Sequence, residues 1–360
     1  MLFVRIFKFL VAAAFCINLV FLLLALSSPY YNPKYVWLPA FFGLFFKVFL
    51  TVHLFFILVF LIARLKRLFI FSMIMILFCI PILVRTIALR AFKGADISSK
   101  HLTLMTYNVN SFTFFRDSVS IFQIVDDIKN EKPDIICFQE YLMHPAYHQA
   151  VLSKIKAAGY NYYYEYITEL IKPHNSVGQA IFSKIPFYNV QPIPFKNTSN
   201  GAFSADFPYD NDTFRLFNVH FQSISLIDNE IKIPSSLQDF KSPQKDYYWM
   251  FFVKLRDAFR KRSYQALKVK EYAQNSPYKV IICGDFNDTP GSFLYRELTE
   301  KFDDTFLKTN FGLGSTFAGK IPLQRIDYVL MDPGIKPGIT KVIHVGGSDH
   351  FPVVSTFAFH

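Results

Sequence analysis

Three long apolar runs fill the first ninety residues. Phe9–Leu26 carries no charge, Val36–Ala63 is interrupted by Lys47 and His53, and Leu68–Val84 is uncharged and contains Pro81. A helix rises about 1.5 Å per residue, so each run can cross most of a hydrocarbon core about 30 Å thick. The spacing therefore predicts three transmembrane helices over residues 9–84, the first and third with little length to spare. A lipid bilayer is the expected partner of this region. A cleaved signal peptide is the alternative for the first run, because Ala25-Leu26-Ser27 has the small-x-small form of a processing site.

From His101 onward the runs become short and alternate in period. Strands are predicted at 102–109, 134–138, 160–166, 177–183, 201–207, 213–219, 279–283, 325–331, 340–345 and 351–358. Apolar residues at 121, 124, 125 and 128 predict a helix over 119–129. Further helices are predicted at 147–157, stopped by Gly159, and at 254–272. The stretch Gln222–Tyr248 is polar and irregular and reads as a long loop. Many strands with a few intervening helices predict an α/β sandwich, two packed sheets with helices outside. The organisation expected is a three-helix transmembrane region (1–84), a linker (85–100) and an α/β domain (101–360), which is ample for one core.

Charge divides the chain in the same place. Residues 1–100 carry eleven Lys/Arg against one acid, Asp96, a net of +10, while the remaining 260 carry 27 bases and 26 acids, a net of +1. The overall +11 is thus a topology signal beside apolar spans, not a basic nucleic-acid-binding surface. Arg5, Lys8, Arg64, Lys66 and Arg67 put five bases on one side, and Lys34, Arg85, Arg90 and Lys93 put four on the other. The larger count marks the cytoplasm, which places everything after the third span on the extracytoplasmic side of a multi-pass membrane protein. The 43 Phe and a mean hydropathy of +0.25 exclude a disordered chain. Cys16, Cys79, Cys137 and Cys283 form no C-x-x-C pair, so neither a disulfide framework nor a zinc site is indicated. No intramembrane acid is available to pair with Lys47 or His53; Lys47 is read as snorkelling or facing neighbouring helices, with the second span shorter and tilted.

The chemistry sits where apolar strands end. Asn108 follows LTLMTY, Gln139 and Glu140 follow DIICF, and Asn218 and His220 end TFRLFNVH. Asp285 and Asn287 follow KVIICG, Asp327 lies in RIDY, and Ser348-Asp349-His350 precedes the last strand. One Asp or Asn in such a place starts a turn. Six such ends, carrying Asn, Gln, Glu, Asp and His, make a site, because a carboxylate at the end of a buried strand needs a cation or an imidazole. The set suits phosphoester hydrolysis. Glu140 has no Cys or His beside it and offers the hard oxygen ligation of Mg²⁺ rather than Zn²⁺, with Mn²⁺ as the alternative. Asp285 is suited to orient or deprotonate water, Asn287 and His220 to donate to phosphoryl oxygens, and Asp327 to fix the tautomer of His350. His101, His144, His148, His174 and His344 read as surface or core histidines.

These pieces resemble the endonuclease/exonuclease/phosphatase superfamily, which includes pancreatic-type deoxyribonucleases, AP endonucleases, neutral sphingomyelinases and inositol polyphosphate 5-phosphatases. TYNV (106–109), DIICFQE (134–140), GQAIFSK (178–184), NVH (218–220), the R-x-x-Q of Arg262 and Gln265, GDFND (284–288), RIDYV (325–329) and SDHFPV (348–353) stand in the superfamily's order over residues 102–360. The resemblance implies a four-layered α/β sandwich and a divalent-metal phosphoesterase. It implies Asn108 and Glu140 at the metal with Asp349 contributing, Asp285 as base for water, Asn287 and His220 on the phosphate, and Asp327 paired with His350. The spans lie outside the common domain, which suggests a membrane-anchored bacterial member. No basic residue follows the first motif at Asn110-Ser111-Phe112, so no substrate base is assigned there.

The expected activity is hydrolysis of a phosphodiester or phosphomonoester. A lipid-linked or small ester ranks ahead of DNA or RNA, because residues 101–360 have a net charge of only +1. The aromatic run Tyr247–Phe252 either borders the site or forms the buried first turns of the next helix. A tethered nuclease acting on nucleic acid and a non-catalytic binding module on the same fold are the alternatives. Nothing in the sequence points to a protein partner.

Overall fold

The computed structural model describes residues 2–90, 101–113, 124, 128, 130–143, 145, 148–171, 175–224, 245–319 and 323–358. The chain falls into two compact units. One holds residues 1–86, 224–264 and 289–296, the other residues 87–223, 265–288 and 297–360.

In the first unit the apolar runs are helices. α1 (Leu2–Ser27) ends at a 3-10 turn, Ser28–Tyr30, opened by Pro29. α2 (Leu38–Leu44) carries Pro39 in its first turn, where the missing N–H costs nothing; α3 covers Phe46–Ile62 and α4 covers Lys66–Thr86. The α1 and α4 regions are each long and apolar enough to cross a membrane. The expected middle span is not one helix, because α2 and α3 meet at 68°, and a third span exists only if the bent pair is counted as one. Phe45 leaves the helical region (φ −101°, ψ 14°), its N–H closes on the Phe42 carbonyl at 3.0 Å, and α3 restarts at the next residue. Leu22, Ala25, Phe46, Cys79 and Ile82 form one apolar cluster between these helices, and Phe15, Phe56 and Phe60 another. His53 is fully buried, with Nε2 3.1 Å from the Ser72 carbonyl oxygen of α4 and its ring stacked on Phe15 of α1.

Strands of the second unit run in chain order as β1 (Ala88–Leu89), β2 (His101–Asn108), β3 (Ile135–Met143), β4 (Tyr162–Ile171), β5 (Asn175–Ser183), β6 (Tyr188–Ile193) and β7 (Ala202–Tyr209). β8 (Asp212–His220), β9 (Lys279–Asp285), β10 (Asp303–Asp304), β11 (Phe311–Gly312), β12 (Asp327–Met331), β13 (Lys336–Val342) and β14 (Val353–Ala358) follow. The helices beyond the apolar region are α5 (His148–Ala157), α6 (Lys245–Gln274), α7 (Phe293–Thr299) and α8 (Thr305–Thr309). Two six-stranded sheets result, ordered β13-β14-β2-β3-β5-β4 and β10-β12-β9-β8-β7-β6, beside the small pair β1-β11. Within them β2/β3 and β8/β9 are parallel and the other neighbours antiparallel, so both sheets are mixed.

Between the sheets Leu104, Ile135, Cys137 and Ile181 pack with Phe203, Ala205, Leu216, Ile281, Cys283 and Val329. The alternate residues Met105, Tyr107, Ile136 and Phe138 face outward under Val151, Leu152 and Ile155 of α5. Burial on both faces is why these strands read as nearly continuous apolar runs. The architecture is the expected α/β sandwich, two mixed sheets flanked by helices. Register then does the positioning. Asn108 pairs with Gln139, His220 with Asp285, and Asp285 with Asp327, which brings the polar strand ends to one edge.

Two local readings change. α6 begins at Lys245, so the end of the expected loop is helix; Phe251, Leu255 and Phe259 recur at i, i+4, and the unbroken aromatic and apolar run 247–253 hides that period in the sequence. β6 was not expected, because as an edge strand carrying Pro192 it shows no clean alternation. Residues 225–244 of the expected loop, and most of the expected helix 119–129, lie outside the described residues.

One buried pair closes the far side of the second sheet. Asp304 caps α8, its Oδ1 accepting from the Phe306 N–H at 2.9 Å, while its Oδ2 accepts from the Arg325 guanidinium; both side chains are buried. Asp304→Ala removes the cap and the carboxylate facing the buried Arg325 guanidinium, and should lower unfolding stability by about 3–5 kcal/mol. Asp304→Asn keeps a capping oxygen and should cost clearly less. Thermal unfolding of the two variants in detergent checks both; equal losses would mean that the charge of the ion pair carries the whole effect and the capping oxygen none.

Candidate active site

The site is built outward from Asp285, the last residue of β9. Gly284 before it has φ +138°, and a Cβ there would lie 1.9 Å from the Val219 carbonyl oxygen, so only glycine lets β8 and β9 approach this closely. Asp285 is fully buried. Its Oδ1 accepts from the Asn287 backbone N–H at 2.7 Å. Its Oδ2 accepts from Asn287 Nδ2 and from Asn108 Nδ2, each at 2.9 Å. Asn108 belongs to the opposite sheet, so this carboxylate joins the two sheets. Burial first, and the neighbouring Asp327 charge second, push its pKa up to about 6 against the pull of His350 and His220.

Asn108 is fixed from several directions. Its Oδ1 accepts from the Asn110 N–H at 3.0 Å, its carbonyl accepts from Ser348 Oγ at 2.7 Å, and its Nδ2 also reaches Glu140 Oε1 at 3.3 Å. Glu140 sits where the β3/β5 register shifts between Phe138 and Tyr141, with φ +49°. A non-glycine residue in that region is strained, and the bulge re-aims its carboxylate out of the ladder. Burial raises the Glu140 pKa; His350 and Asn108 oppose this, and the charge of Asp349 adds to it.

Two histidines stand on opposite sides of Asp285 in charge state. His220 Nε2 lies 3.5 Å from Glu140 Oε1 and 3.7 Å from Asp285 Oδ2, and Asn200 Nδ2 reaches its ring nitrogens at 3.0–3.1 Å. Burial outweighs the pull of Asp285 and drops its pKa to about 4, so it is neutral at pH 7. His350 Nδ1 lies 3.0 Å from Asp327 Oδ2, and its Nε2 lies 3.9 Å from Asp285 Oδ2. Burial pulls its pKa down, but Asp327 and Asp285 outweigh that and push it up to about 10. His350 is therefore an imidazolium donating to Asp327. The Thr316 hydroxyl accepts from the Ile326 and Asp327 N–H groups, and Phe317 meets the His350 ring edge-on at 5.1 Å.

The structure thus brings Asn108, Glu140, His220, Asp285, Asn287, Asp327 and His350 to one place. Asp349 joins them through its charge on Glu140 and His350. The donor chemistry fits a hard divalent cation, since Glu140 and Asp349 offer carboxylate oxygens whose like charges raise each other's cost. Among the described residues, Asp285, Asp327 and His350 also have ligand atoms within 4.8 Å of one another. Asn200, Thr316 and Phe317 were not read from the sequence. Asn200 lies in the polar stretch Asn197–Asn200, which looks like any turn; only three-dimensional proximity distinguishes it. Beneath the site the fully buried Asn218 accepts from Gln139 Nε2 at 2.7 Å and donates to the Phe138 and Ala180 carbonyls at 3.1 Å, a second polar link between the sheets.

Solved structures share this fold. The human Nocturnin catalytic domain with bound sulfate anion is 15% identical, with 72% of this chain and 95% of that one covered and a TM-score of 0.53. An endonuclease/exonuclease/phosphatase family protein from Leptotrichia buccalis C-1013-b is 14% identical, covering 72% and 100%, with a TM-score of 0.52. D. rerio TDP2 complexed with single strand DNA product is 15% identical, covering 72% and 100%, with a TM-score of 0.51. At such identities these likenesses speak to the fold alone. No curated protein matches the chain. Residues 5–86 match a family described as a domain of unknown function. Residues 105–350, well over half of the chain, match the profile described as Endonuclease/Exonuclease/phosphatase family, so this protein belongs to that family and is a metal-dependent hydrolase of ester bonds.

Proposed function

We propose that the protein is a membrane-anchored phosphoesterase whose catalytic residues act outside the cytoplasm on a lipid-linked or small phosphoester. The observation that carries the reading is the buried Asp285 carboxylate, held by Asn108 and Asn287 between a neutral and a charged histidine. Glu140, with Asp349 and Asn108 beside it, would hold the divalent cation. Such a cation, when bound, polarises a phosphoryl oxygen and offsets its charge. Geometry alone also admits an ion at Asp285, Asp327 and His350, but there His350 already donates its proton to Asp327, so that trio is assigned to proton handling.

Asp285 is the base. Its ionised form takes a proton from the attacking water, and the raised pKa makes it a better acceptor than an ordinary carboxylate. Neutral His220 accepts from Asn200 on Nδ1 and offers the N–H of Nε2, the nitrogen that faces Glu140 and Asp285, to a phosphoryl oxygen. Asn287 Nδ2 donates to Asp285 Oδ2 and to the Phe221 carbonyl oxygen, and contacts the phosphoryl group by turning one of these N–H bonds to it; the His350 imidazolium balances charge that develops on phosphorus. Retention of the whole polar set favours an enzyme over a binding module on the same fold.

Hydrolysis should need a divalent cation and stop with chelator. Asp285→Asn and His350→Ala should each lower turnover roughly 10²-fold or more, with Asp327→Asn milder because an amide oxygen still accepts from His350. The pH profile of the wild type should be a bell. Rate falls as pH drops through about 6, where Asp285 gains a proton, and again as pH rises through about 10, where His350 loses one. Near-wild-type turnover in either purified variant would remove that residue from the mechanism.

Substrate class rests on charge. A duplex binder makes many Lys/Arg–phosphate contacts and is steeply salt-dependent, whereas residues 101–360 have a net charge of only +1. TDP2 bound to a DNA product shows that this fold can accept single-stranded DNA, which keeps a nuclease as the second reading. Turnover of plasmid DNA, single-stranded DNA, sphingomyelin-like lipids and small phosphodiesters at ~0.15 M salt separates the two. Lipid or small esters should lead. Nuclease activity far above the rest, falling steeply with added salt, would make nucleic acid the substrate.

Sidedness follows from whether α2 and α3 together cross once. A Cβ at Gly291 would meet Ile82 Cγ2 at 3.4 Å and the Gly43 carbonyl oxygen at 3.6 Å, and a Cβ at Gly43 would meet Ser28 Oγ at 2.3 Å. The C-terminal ends of α1 and α4 therefore gather around one point, which supports parallel α1 and α4 with a single return crossing between them. Alkaline phosphatase, active only outside the cytoplasm, should be active when fused after His360. Activity from a cytoplasmic reporter alone would reverse the orientation read from the base count.

A further inference from the structure

One side of α6 takes no part in the chemistry above. In its first half Phe251, Leu255 and Phe259 pack with Ala40 and Phe41 of α2, and the Phe252 ring lies 5.3 Å from that of Phe41. All of these residues belong to the first unit, at the end of the helical bundle formed by residues 28–41. Arg260 secures the same end, its guanidinium donating twice to the Lys34 carbonyl oxygen at 3.2–3.3 Å. α6 is thus attached where the apolar helices begin and end.

The apolar surface does not stop at that contact. Trp249 is 69% exposed and Met250 46%, while Tyr30, Tyr31 and Tyr35 are more than half exposed. Over residues 254–261 the helix carries four bases, Lys254, Arg256, Arg260 and Lys261, against one acid, Asp257. Water is a poor solvent for an open Trp and Met, and the segment between α1 and α2 exposes three tyrosines in the same unit. A bilayer surface suits all of them at once. Aromatic side chains with a polar edge favour the zone where spans meet water, and anionic headgroups attract the bases.

We infer that the first half of α6 is an interfacial helix, lying in the headgroup zone of the extracytoplasmic leaflet with Trp249 and Met250 inserted and with anionic headgroups against its basic stretch. This rests on α1–α4 being membrane-embedded, and it deepens the proposed function by placing a lipid-binding element in the connection between His220 and Gln265. The occupant is the lipid surface itself, not a protein.

The chain has two tryptophans, Trp37 and Trp249, so Trp37→Phe leaves one reporter on α6. The full chain is placed in nanodiscs of phosphatidylcholine with phosphatidylglycerol, using lipids spin-labelled at the headgroup, near the top of the acyl chain or near its end. Trp249 emission should be blue-shifted, quenched at least about twofold more by shallow than by deep labels, and barely quenched by iodide, as expected for a helix about 5–10 Å into the interface. Omitting phosphatidylglycerol should weaken the shallow quenching; no change would overturn the role given to anionic headgroups. Strong iodide quenching with no effect of labelled lipid would overturn the inference as a whole. The wild-type minus Trp249→Phe difference spectrum gives the same readout should Trp37→Phe not fold. Emission reads depth without turnover, so an enzyme inactive on lipids and a helix standing clear of the bilayer are separable results.

Discussion

A single carboxylate removed from water organises the catalytic half of this molecule. Ionised Asp285 at the end of β9 is tolerable only if donors surround it, and the donors come from both sheets and from the loop that follows. Asn108 must therefore stand level with it across the sandwich, Gly284 must let β8 press against β9, and His350 must stay charged by leaning on Asp327. The parallel pairs β2/β3 and β8/β9 supply that alignment, because each carries its polar residues to the same end of its own sheet. The apolar interior sets how far apart the sheets sit, and the Gln139–Asn218 link below the site keeps them in step.

Much of this was legible in the sequence because strand ends are punctuated. A run such as KVIICG followed by Asp can hardly be anything but a buried strand delivering a carboxylate to an edge, and β2, β3, β8, β9 and β12 repeat the pattern. What could not be read were positions defined only by proximity. Asn200 lies 20 residues from His220 in sequence and in an ordinary polar turn, and Thr316 acts by holding backbone N–H groups of Ile326 and Asp327. Edge strand β6 lacked a period because one of its faces has little to pack against. The early start of α6 was hidden because its first turns hold a continuous aromatic and apolar run, 247–253, in which no helical period stands out.

The apolar region shows the opposite limit. Hydropathy counts residues and is blind to a bend, so Val36–Ala63 looked like one span although Phe45 divides it. Nor does hydropathy show that residues from beyond 240 join the first unit through Leu255, Phe259 and Gly291. Charge counts over loops are similarly indirect. They become informative once helix ends can be grouped in space, as Ser28, Gly43, Ile82 and Gly291 allow.

Two residues at the site, Glu140 (φ +49°) and Asn287 (φ +53°), hold backbone conformations that side chains disfavour. Each such position costs on the order of 1 kcal/mol that glycine would avoid. The site is thus a place where the chain is less stable than a functionless version of itself would be. Random drift, or selection for expression alone, would be drawn toward glycine at these positions. Screens for a more robust form of this enzyme would then return variants that fold better and turn over nothing, unless turnover is scored alongside stability.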